Sequence, residues 1–366
     1  MGCATMNAMR EVLSLELTQR ARSTRWRVLL VAWFVVLVGT VVLQTLFFDS
    51  VGPGVMGDES TWTRSSAEAI ATGTLLFVLL VGLLVAPAQT ATSINGDRRD
   101  GVLALVQAAP VSTWAVAVGK LLAAWLASLA FLLVSLPVLV WTVIRGGLTW
   151  WALLLGVAVV ALLLLAVSGM GLGLSALTPR TASSTMLSYL IVAVLTVGLP
   201  LVFALSMPLT EHRETRQVAY LTRYDDNLDL DDPASWCREE VTPVSTMDTR
   251  SIAWLLLPNP VVVLSDALPH SGDAPGVTNI VRNVVDRSFR APERQPETCA
   301  ELAESMRESG GDPILQPASD PGNGAPGWKW GPGLAVNLLL GGAGVAVAHR
   351  RLKVPAGELP KGVRIA

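Results

Sequence analysis

The sequence predicts an all-α polytopic membrane protein with six transmembrane helices. Of its 366 residues, 51% are hydrophobic and only 15% are charged, and the mean hydropathy is +0.50. A soluble protein of this length is normally much less apolar. The apolar residues are also gathered into long uncharged runs of the length that crosses a bilayer. Buried helices of a large soluble protein are the less favoured alternative, since six such runs are not expected there by chance.

Five runs contain no Asp, Glu, Lys or Arg and reach the ~20 residues that a membrane-spanning helix needs. They cover residues 28–48, 69–93, 121–144, 149–177 and 182–208. A sixth run at 330–349 is just long enough and is bounded by Lys329 and Arg350. The sequence therefore predicts five spans within residues 28–208 and a separate sixth span at 330–349.

The charges of the connecting segments predict the orientation. With six spans, both ends lie on one side together with the connectors 94–120 and 178–181. That side, with residues 1–27 and the tail 350–366, carries 14 of the 27 basic residues but only 5 of the 29 acidic ones. Because Lys and Arg in short connectors stay in the cytoplasm, we expect both termini to be cytoplasmic.

The N-terminal segment 1–27 predicts an amphipathic helix on the inner membrane surface. Met6, Met9, Leu13 and Leu17 recur at helical spacing, and polar residues occupy the rest of the surface. Such a helix lies in the plane of the interface before the chain turns into the first span. A solvated cytoplasmic tail is the open alternative.

Residues 209–329 have a different character and predict an extracytoplasmic domain. They carry 20 acidic and 11 basic side chains and many Pro and Gly. Cys237 and Cys299 lie in this region, in a compartment that permits disulfides, so a bridge between them is possible. Free or buried thiols are the alternative, because the sequence gives no distance between the two residues.

One uncharged run inside this domain, residues 251–265, is interrupted by Pro258 and Pro260. It is too short and too broken for an ordinary span, so the sequence favours a re-entrant or interfacial segment. A seventh crossing would also place the basic tail 350–366 outside, against the charge rule.

Motifs for catalysis, metal binding or nucleotide binding are missing from the sequence. The three histidines are scattered, and the acidic run 225–233 lacks the spacing of a calcium loop. Gly119 and Lys120 are followed by Leu, so no phosphate loop is formed. The glycines of 168–177 favour close helix packing over a dinucleotide site. We expect a chain that is not an enzyme, binds no cofactor or metal itself, and has no nucleic-acid partner.

The connector 94–120 is the most informative stretch. Charged residues mark the membrane exit, Gly101 permits a turn, and residues 102–109 can form a short apolar helix that Pro110 ends. Ser112 or Thr113 can cap the next helix. An apolar helix in the cytosol must bury itself against a partner, although a loop resting on the bilayer surface is the alternative.

The same stretch, GDRRDGVLALVQAAPVSTWAVAVGK, resembles the loop between the second and third spans in membrane subunits of type-two ABC exporters. That loop has a charged cluster, a Gly-hydrophobic-x-x-Leu segment, a Pro-Val/Ile-Ser turn and a Gly-Lys that opens the third span. Six spans with both ends inside is also the layout of that family. The segment LLLPNPVVVLSDA at 255–267 and the tail 350–366 are similar to actinobacterial members.

The resemblance implies a permease subunit of an ATP-binding-cassette exporter in a bacterial plasma membrane. It implies three kinds of partner: a pair of ATPase subunits that bind ATP and Mg²⁺, a second permease in a homo- or heterodimer, and membrane lipid. The connector is the implied coupling segment for the ATPase, through Asp97, Arg98, Arg99, Asp100, Gly101, Leu103, Leu105, Pro110 and Lys120. The alternative function is a membrane-bound sensor or assembly factor with an acidic extracytoplasmic binding domain.

Overall fold

The computed structural model describes residues 18, 23–52, 59–99, 112–222, 231–269, 276–292, 296–308 and 327–353. Within these ranges, six helices are long and apolar enough to cross a membrane. They follow the six uncharged runs of the sequence in number and order, so the predicted polytopic helical fold is confirmed. Most of the amphipathic helix predicted at 1–27 lies outside the described residues, as do 102–109 and the tail from 354.

The helices and strands are numbered in chain order. The first four spans are α1 (Thr24–Val51), α2 (Glu59–Thr90), α4 (Thr113–Ile144) and α5 (Trp150–Leu177), with the short helix α3 (Ser93–Arg99) after α2. The fifth span joins α6 (Thr181–Ala193), a π-helical turn (Val194–Gly198) and α7 (Leu199–Ser206). Residues 209–329, here called the large loop region, contain strands β1 (Glu211–Leu221) and β2 (Cys237–Met247) and helices α8 (Pro260–Ala267), α9 (Val277–Phe289) and α10 (Cys299–Glu308). The sixth span is α11 (Trp330–Leu352).

The third span begins earlier than the uncharged run that predicted it. It starts at Thr113, directly after Ser112, whose side chain accepts a hydrogen bond from the backbone N–H of Ala115 at 3.2 Å. This is the expected N-cap, which satisfies one of the free donors of the first turn. Lys120 therefore lies in the second turn of a helix, not at the end of a loop.

The main hydrophobic core lies among the second, third and fourth spans and α8. Five leucines there are completely buried: Leu75, Leu79, Leu139, Leu163 and Leu264. The first and fifth spans lie at the edges of the bundle and expose many apolar side chains, among them Val31, Leu43, Val197 and Leu205. In a membrane such side chains face lipid or another protein chain.

The fourth and sixth spans pack backbone against backbone. A Cβ atom added to Gly169 would lie 2.5 Å from the carbonyl oxygen of Gly341, and one added to Gly344 would lie 2.3 Å from the carbonyl oxygen of Gly169. Gly173 is equally close to Gly344. Only glycine permits this approach, which is the small-residue packing common between membrane helices. The packing role predicted for the glycines of 168–177 is confirmed.

A hydrogen bond ties the fifth span to the large loop region. Pro200 has no N–H, so it cannot donate to the carbonyl of Thr196 one helical turn before it. The side-chain Nδ2 of Asn259 donates to this carbonyl instead, at 3.0 Å. The carbonyl lies in the π-helical turn, where the regular hydrogen-bond ladder is already interrupted.

The run 251–265 enters the bundle without crossing it. It forms 3₁₀ turns at Thr249–Ser251 and Ala253–Leu256, and then α8 begins at Pro260 with Asn259 as its N-cap. At eight residues, α8 is about 12 Å long, well short of the ~30 Å hydrocarbon core. Its residues Val263, Leu264 and Ala267 are fully buried in the same core as the spans.

The large loop region also contains a β-hairpin, which the sequence did not predict. β1 pairs antiparallel with β2 from Glu211 opposite Met247 to Leu221 opposite Cys237. The strands are mostly polar and exposed, so they lack the apolar alternation that marks a half-buried strand. A disulfide joins Cys237 at the start of β2 to Cys299 at the start of α10, with their Cα atoms 5.8 Å apart.

Candidate coupling site

The helix α3 is attached to the end of the fourth span by hydrogen bonds. The backbone N–H groups of Ile94 and Asn95 donate to Ser175 Oγ at 3.1 and 3.3 Å, and Asn95 Nδ2 donates to Thr178 Oγ1 at 3.1 Å. The first N–H groups of a helix have no partner within the helix, and here a side chain of another span supplies one. The start of the connector is thereby fixed in place.

An ion pair joins the two ends of the connector. Asp97 Oδ2 in α3 lies 2.8 Å from Lys120 Nζ in the third span, and the Lys120 side chain is only 7% exposed. Breaking a buried ion pair by removing one partner leaves a charge without compensation, which is costly. The sequence named both residues as site residues, and the structure brings them into contact.

The sixth span ends at the same place. His349 Nδ1 lies 3.2 Å from Thr113 Oγ1, and the His349 ring packs edge to face against Trp114 with ring centres 5.1 Å apart. A separate apolar cluster fills the space between the helices and consists of Ile94, Val116, Ala117, Leu172, Ala176, Val345, Ala348 and Leu352. We call this meeting of α3 with the third, fourth and sixth spans the connector junction.

The remaining predicted site residues lie at or beyond the edge of the connector junction. Arg99 is exposed at the end of α3. Arg98 is part of the same helix, but its side chain is not described, and Asp100, Gly101, Leu103, Leu105 and Pro110 lie outside the described residues. The structure therefore shows how the connector is anchored at both ends.

Sequence reasoning missed the polar residues that complete the connector junction. Ser175 and Thr178 follow the glycines of the fourth span, where they read as ordinary small packing residues. His349 is one of the three scattered histidines, to which the sequence assigns no role. The sequence does contain one indication of their role. Ser175, Thr178 and His349 each lie within one turn of the end of a predicted span, where the backbone groups of helix termini need side-chain partners.

A second polar cluster lies at the other end of the sixth span. Lys329, one residue before that span, is 3.7 Å from Asp266 Oδ1 of α8 and forms an ion pair with Asp286 of α9. Arg282 Nε is 3.8 Å from Asp286 Oδ2. Asp266 Oδ2 also accepts from the backbone N–H of Trp330 at 2.8 Å. We call these four charged side chains the loop junction.

The charges of the loop junction compensate one another away from water. Asp266 is 1% exposed, and Lys329 and Arg282 are each 7% exposed. Arg282 Nη1 also donates to the carbonyl oxygen of Leu268 at 2.8 Å. Two acidic and two basic groups give no net charge, which lets three of them stay buried at the end of a span while Asp286 is 25% exposed. The network fastens α8 and α9 to the sixth span.

The described parts of the chain bring no three His, Cys, Asp or Glu side chains together in a way that could hold a metal ion. The two junctions consist of ion pairs, hydroxyl and amide hydrogen bonds and apolar packing. This arrangement can hold helices together and transmit displacement between them.

A comparison with protein families identifies the family of the chain. A family model described as ABC-2 family transporter protein matches residues 10–268, which is more than two thirds of the sequence. No curated protein matches the chain. The match runs from the N-terminal segment through the connector and the first five spans to α8, and it agrees with the multi-pass helical architecture. The chain belongs to the ABC-2 transporter family and is a permease component of an ABC transporter.

Proposed function

We propose that the chain is the permease subunit of an ABC exporter and that the connector 94–120 couples it to a separate ATPase subunit. The observation that carries this proposal is the ion pair between Asp97 and Lys120, which closes the base of the connector. A force applied to residues 100–111 reaches both ends of the connector together. It then acts on the fourth span through Ser175 and on the sixth through His349.

Family membership supports an ATPase partner, because the chain itself carries no phosphate loop. The apolar segment 102–109 could be buried in a groove of such a partner, as apolar helix faces are in other helix-in-groove complexes. ATP and Mg²⁺ would then bind to the partner chain. The family match also favours a permease over the membrane-bound sensor or assembly factor considered from the sequence.

The finer points of the proposal rest on the resemblance to type-two exporters and on charge. The resemblance supports the export direction, the pair of ATPase subunits and a second permease. The exposed apolar side chains of the first and fifth spans give a second permease or membrane lipid a surface to cover. The excess of Lys and Arg in the short connectors supports cytoplasmic termini.

Affinity purification of the tagged full chain from native membranes tests the coupling role. We expect an ATPase with a phosphate loop to co-purify and to be lost from a triple variant, Arg98→Gln, Arg99→Gln and Leu103→Ala. The matched control removes two arginines and one apolar side chain from the exposed hairpin: Arg213→Gln, Arg238→Gln and Val241→Ala. Mass spectrometry of the purified material identifies the ATPase, and its retention by the connector variant would overturn the coupling role.

A further inference from the structure

Helix α9 is amphipathic in the reverse of the usual sense. Its buried residues are Thr278, Asn279, Arg282 and Ser288 together with one apolar residue, Val285. Its exposed face carries Val277, Ile280 and Val284, whose side chains are 57%, 64% and 49% exposed. A helix on the surface of a soluble domain turns its apolar stripe inward. The reversal indicates that the medium outside α9 is apolar.

The polar face of α9 is held inward by specific partners. Arg282 and Asp286 belong to the loop junction, with Leu268 and Lys329 as their partners. Near the end of the helix, the Ser288 carbonyl accepts a hydrogen bond from Thr249 Oγ1 at 3.1 Å. Rotating α9 to bury Val277, Ile280 and Val284 would break all of these contacts and would expose Val285, which is now 2% exposed. The exposed apolar face is therefore a fixed feature of the fold.

The apolar face of α9 continues the apolar surface of the first two spans. Gly276, at the start of α9, lies against Ala69 of the second span, seven residues or about 10 Å inside Trp62 along the helix. Val277 and Ile280 share a cavity of about 680 Å³ with residues of both spans, including Phe47 and Leu80. Phe47 and Leu80 are themselves 59% and 40% exposed on membrane-spanning helices, so α9 extends an apolar surface of the membrane-spanning part.

One basic side chain follows the apolar residues on the same face, and a second lies directly after the end of the helix. Val277, Ile280, Val284 and Arg287 recur at intervals of three and four residues, which places them along one side of a helix. Arg287 and Arg290 are both exposed. A long cationic side chain beside an apolar stripe can reach the phosphate groups of lipids while its stem stays in the apolar layer.

We propose that α9 is a membrane-interface helix that binds phospholipid. Val277, Ile280 and Val284 lie among acyl chains, and Arg287 and Arg290 bind the lipid phosphates. The helix thereby anchors the large loop region to the bilayer beside the first and second spans. This role does not depend on the ATPase partner, so it stands or falls separately from the proposed coupling function.

Fluorescence quenching on the full chain in lipid nanodiscs tests the apolar half of the proposal. Ile280→Cys is made in a Cys3→Ser background, which keeps the native disulfide, and is labelled with a small environment-sensitive fluorophore. Glu304→Cys on the exposed face of α10 is the matched control. We expect the label at 280 to be quenched severalfold more by nitroxide-bearing lipid than the control label, and severalfold less by aqueous iodide.

Two outcomes would overturn the proposal. Equal quenching by iodide at positions 280 and 304 would place α9 in water. Protection of position 280 from both quenchers would show that protein covers it, as a second permease would do.

Lipid retention tests the basic half of the proposal. Native mass spectrometry counts the phosphatidylglycerol molecules that stay bound to the purified chain. We expect fewer for the double variant Arg287→Gln and Arg290→Gln than for the unmodified chain. Arg238→Gln with Arg213→Gln on the hairpin removes the same charge away from α9 and should leave the count unchanged. An equal fall in both double variants would mean that general charge, and not α9, retains the lipid.

Discussion

The sixth span is fastened at both ends, but in different ways. At the loop junction, three buried charges and the partly exposed Asp286, from α8, α9 and the residue before the span, compensate one another. At the connector junction, one ion pair is accompanied by hydrogen bonds that Ser175 and Thr178 accept and by one between Thr113 and His349. Neutral hydrogen bonds contribute about 0.5–1.5 kcal/mol each, whereas half of a buried charge pair left alone costs about 3–5 kcal/mol.

The difference teaches where relative movement is least costly. Hydroxyl and amide contacts at the connector junction can exchange for water or for one another with little loss. The loop junction cannot open without exposing or stranding charges. We therefore expect the helices to shift against one another at the connector end, while α8 and α9 move with the sixth span as one body.

The largest effect is expected from breaking the loop junction. Lys329→Met leaves the buried Asp266 without a cation, and we expect a loss of about 3–5 kcal/mol in unfolding free energy. Asp286 loses the same partner but is 25% exposed and keeps part of its hydration. Adding Asp286→Asn restores neutrality between Asp266 and Arg282 and should recover part of the loss. Thermal unfolding in detergent measures both variants, and equal melting temperatures for the single and double variants would argue against the network.

A smaller loss of stability is expected at the connector junction. Lys120→Met leaves Asp97, which is 25% exposed and so keeps part of its hydration. We expect a cost of about 1.5–3 kcal/mol, the range for a hydrogen bond to a charged group. In the assembled transporter, the loss of ATP-driven transport is divided by the loss of unfolding free energy for each variant. We expect this ratio to be larger for Lys120→Met than for Lys329→Met. A larger ratio for Lys329→Met would contradict the proposal that coupling takes place at the connector junction.

The glycine contact between the two junctions should give a further, smaller effect. Gly344→Val places side-chain atoms into the backbone of the fourth span, and overpacking of this kind costs about 1–3 kcal/mol. Gly342 lies two residues away on the same helix with no neighbouring atom within 4 Å of an added Cβ. Gly342→Val is therefore the matched control, and melting temperatures that fall equally would show that helix propensity and not packing is responsible.

The smallest effect is expected at an exposed ion pair beyond β2. A hydrogen bond from Arg250 lowers the pKa of Asp248 from 3.8 to about 2. The folded-state pKa is depressed, so the stabilisation is present above pH ~4 and is lost as the pH falls toward 2. Asp248→Asn should lower the melting temperature slightly at pH 6 and by less at pH 2, where the carboxyl is partly protonated in the folded state. Because the pair is exposed, 1 M salt should weaken the difference at pH 6.

The sequence predicts the membrane part of the fold well, because a span must be a helix that satisfies its own backbone and because charged side chains are costly in hydrocarbon. Together these demands leave a long uncharged run in the sequence. The hairpin is different, since its strands carry charged residues such as Glu211 and Arg213 on exposed faces. Helix α9 illustrates a second limit. Its periodicity marks a helix, but the usual rule would turn Val277 and Ile280 inward.

The candidate site divides in a similar way. Asp97 and Lys120 attract notice in the sequence because charges at the ends of apolar runs are conspicuous. Their contact is not readable, because it depends on where α3 turns and on where the third span begins. Ser175 and Asn95 act through backbone and side-chain hydrogen bonds that leave no pattern in a single sequence.

The glycine contact has a consequence for how the chain is made. During synthesis the fourth span leaves the ribosome long before residue 341, so the bare backbone at Gly169 and Gly173 first faces lipid. Insertion of the spans and their docking are separate steps for membrane helices. The sixth span therefore completes assembly late, and a chain that stalls before it leaves the glycine surface of the fourth span without its packing partner.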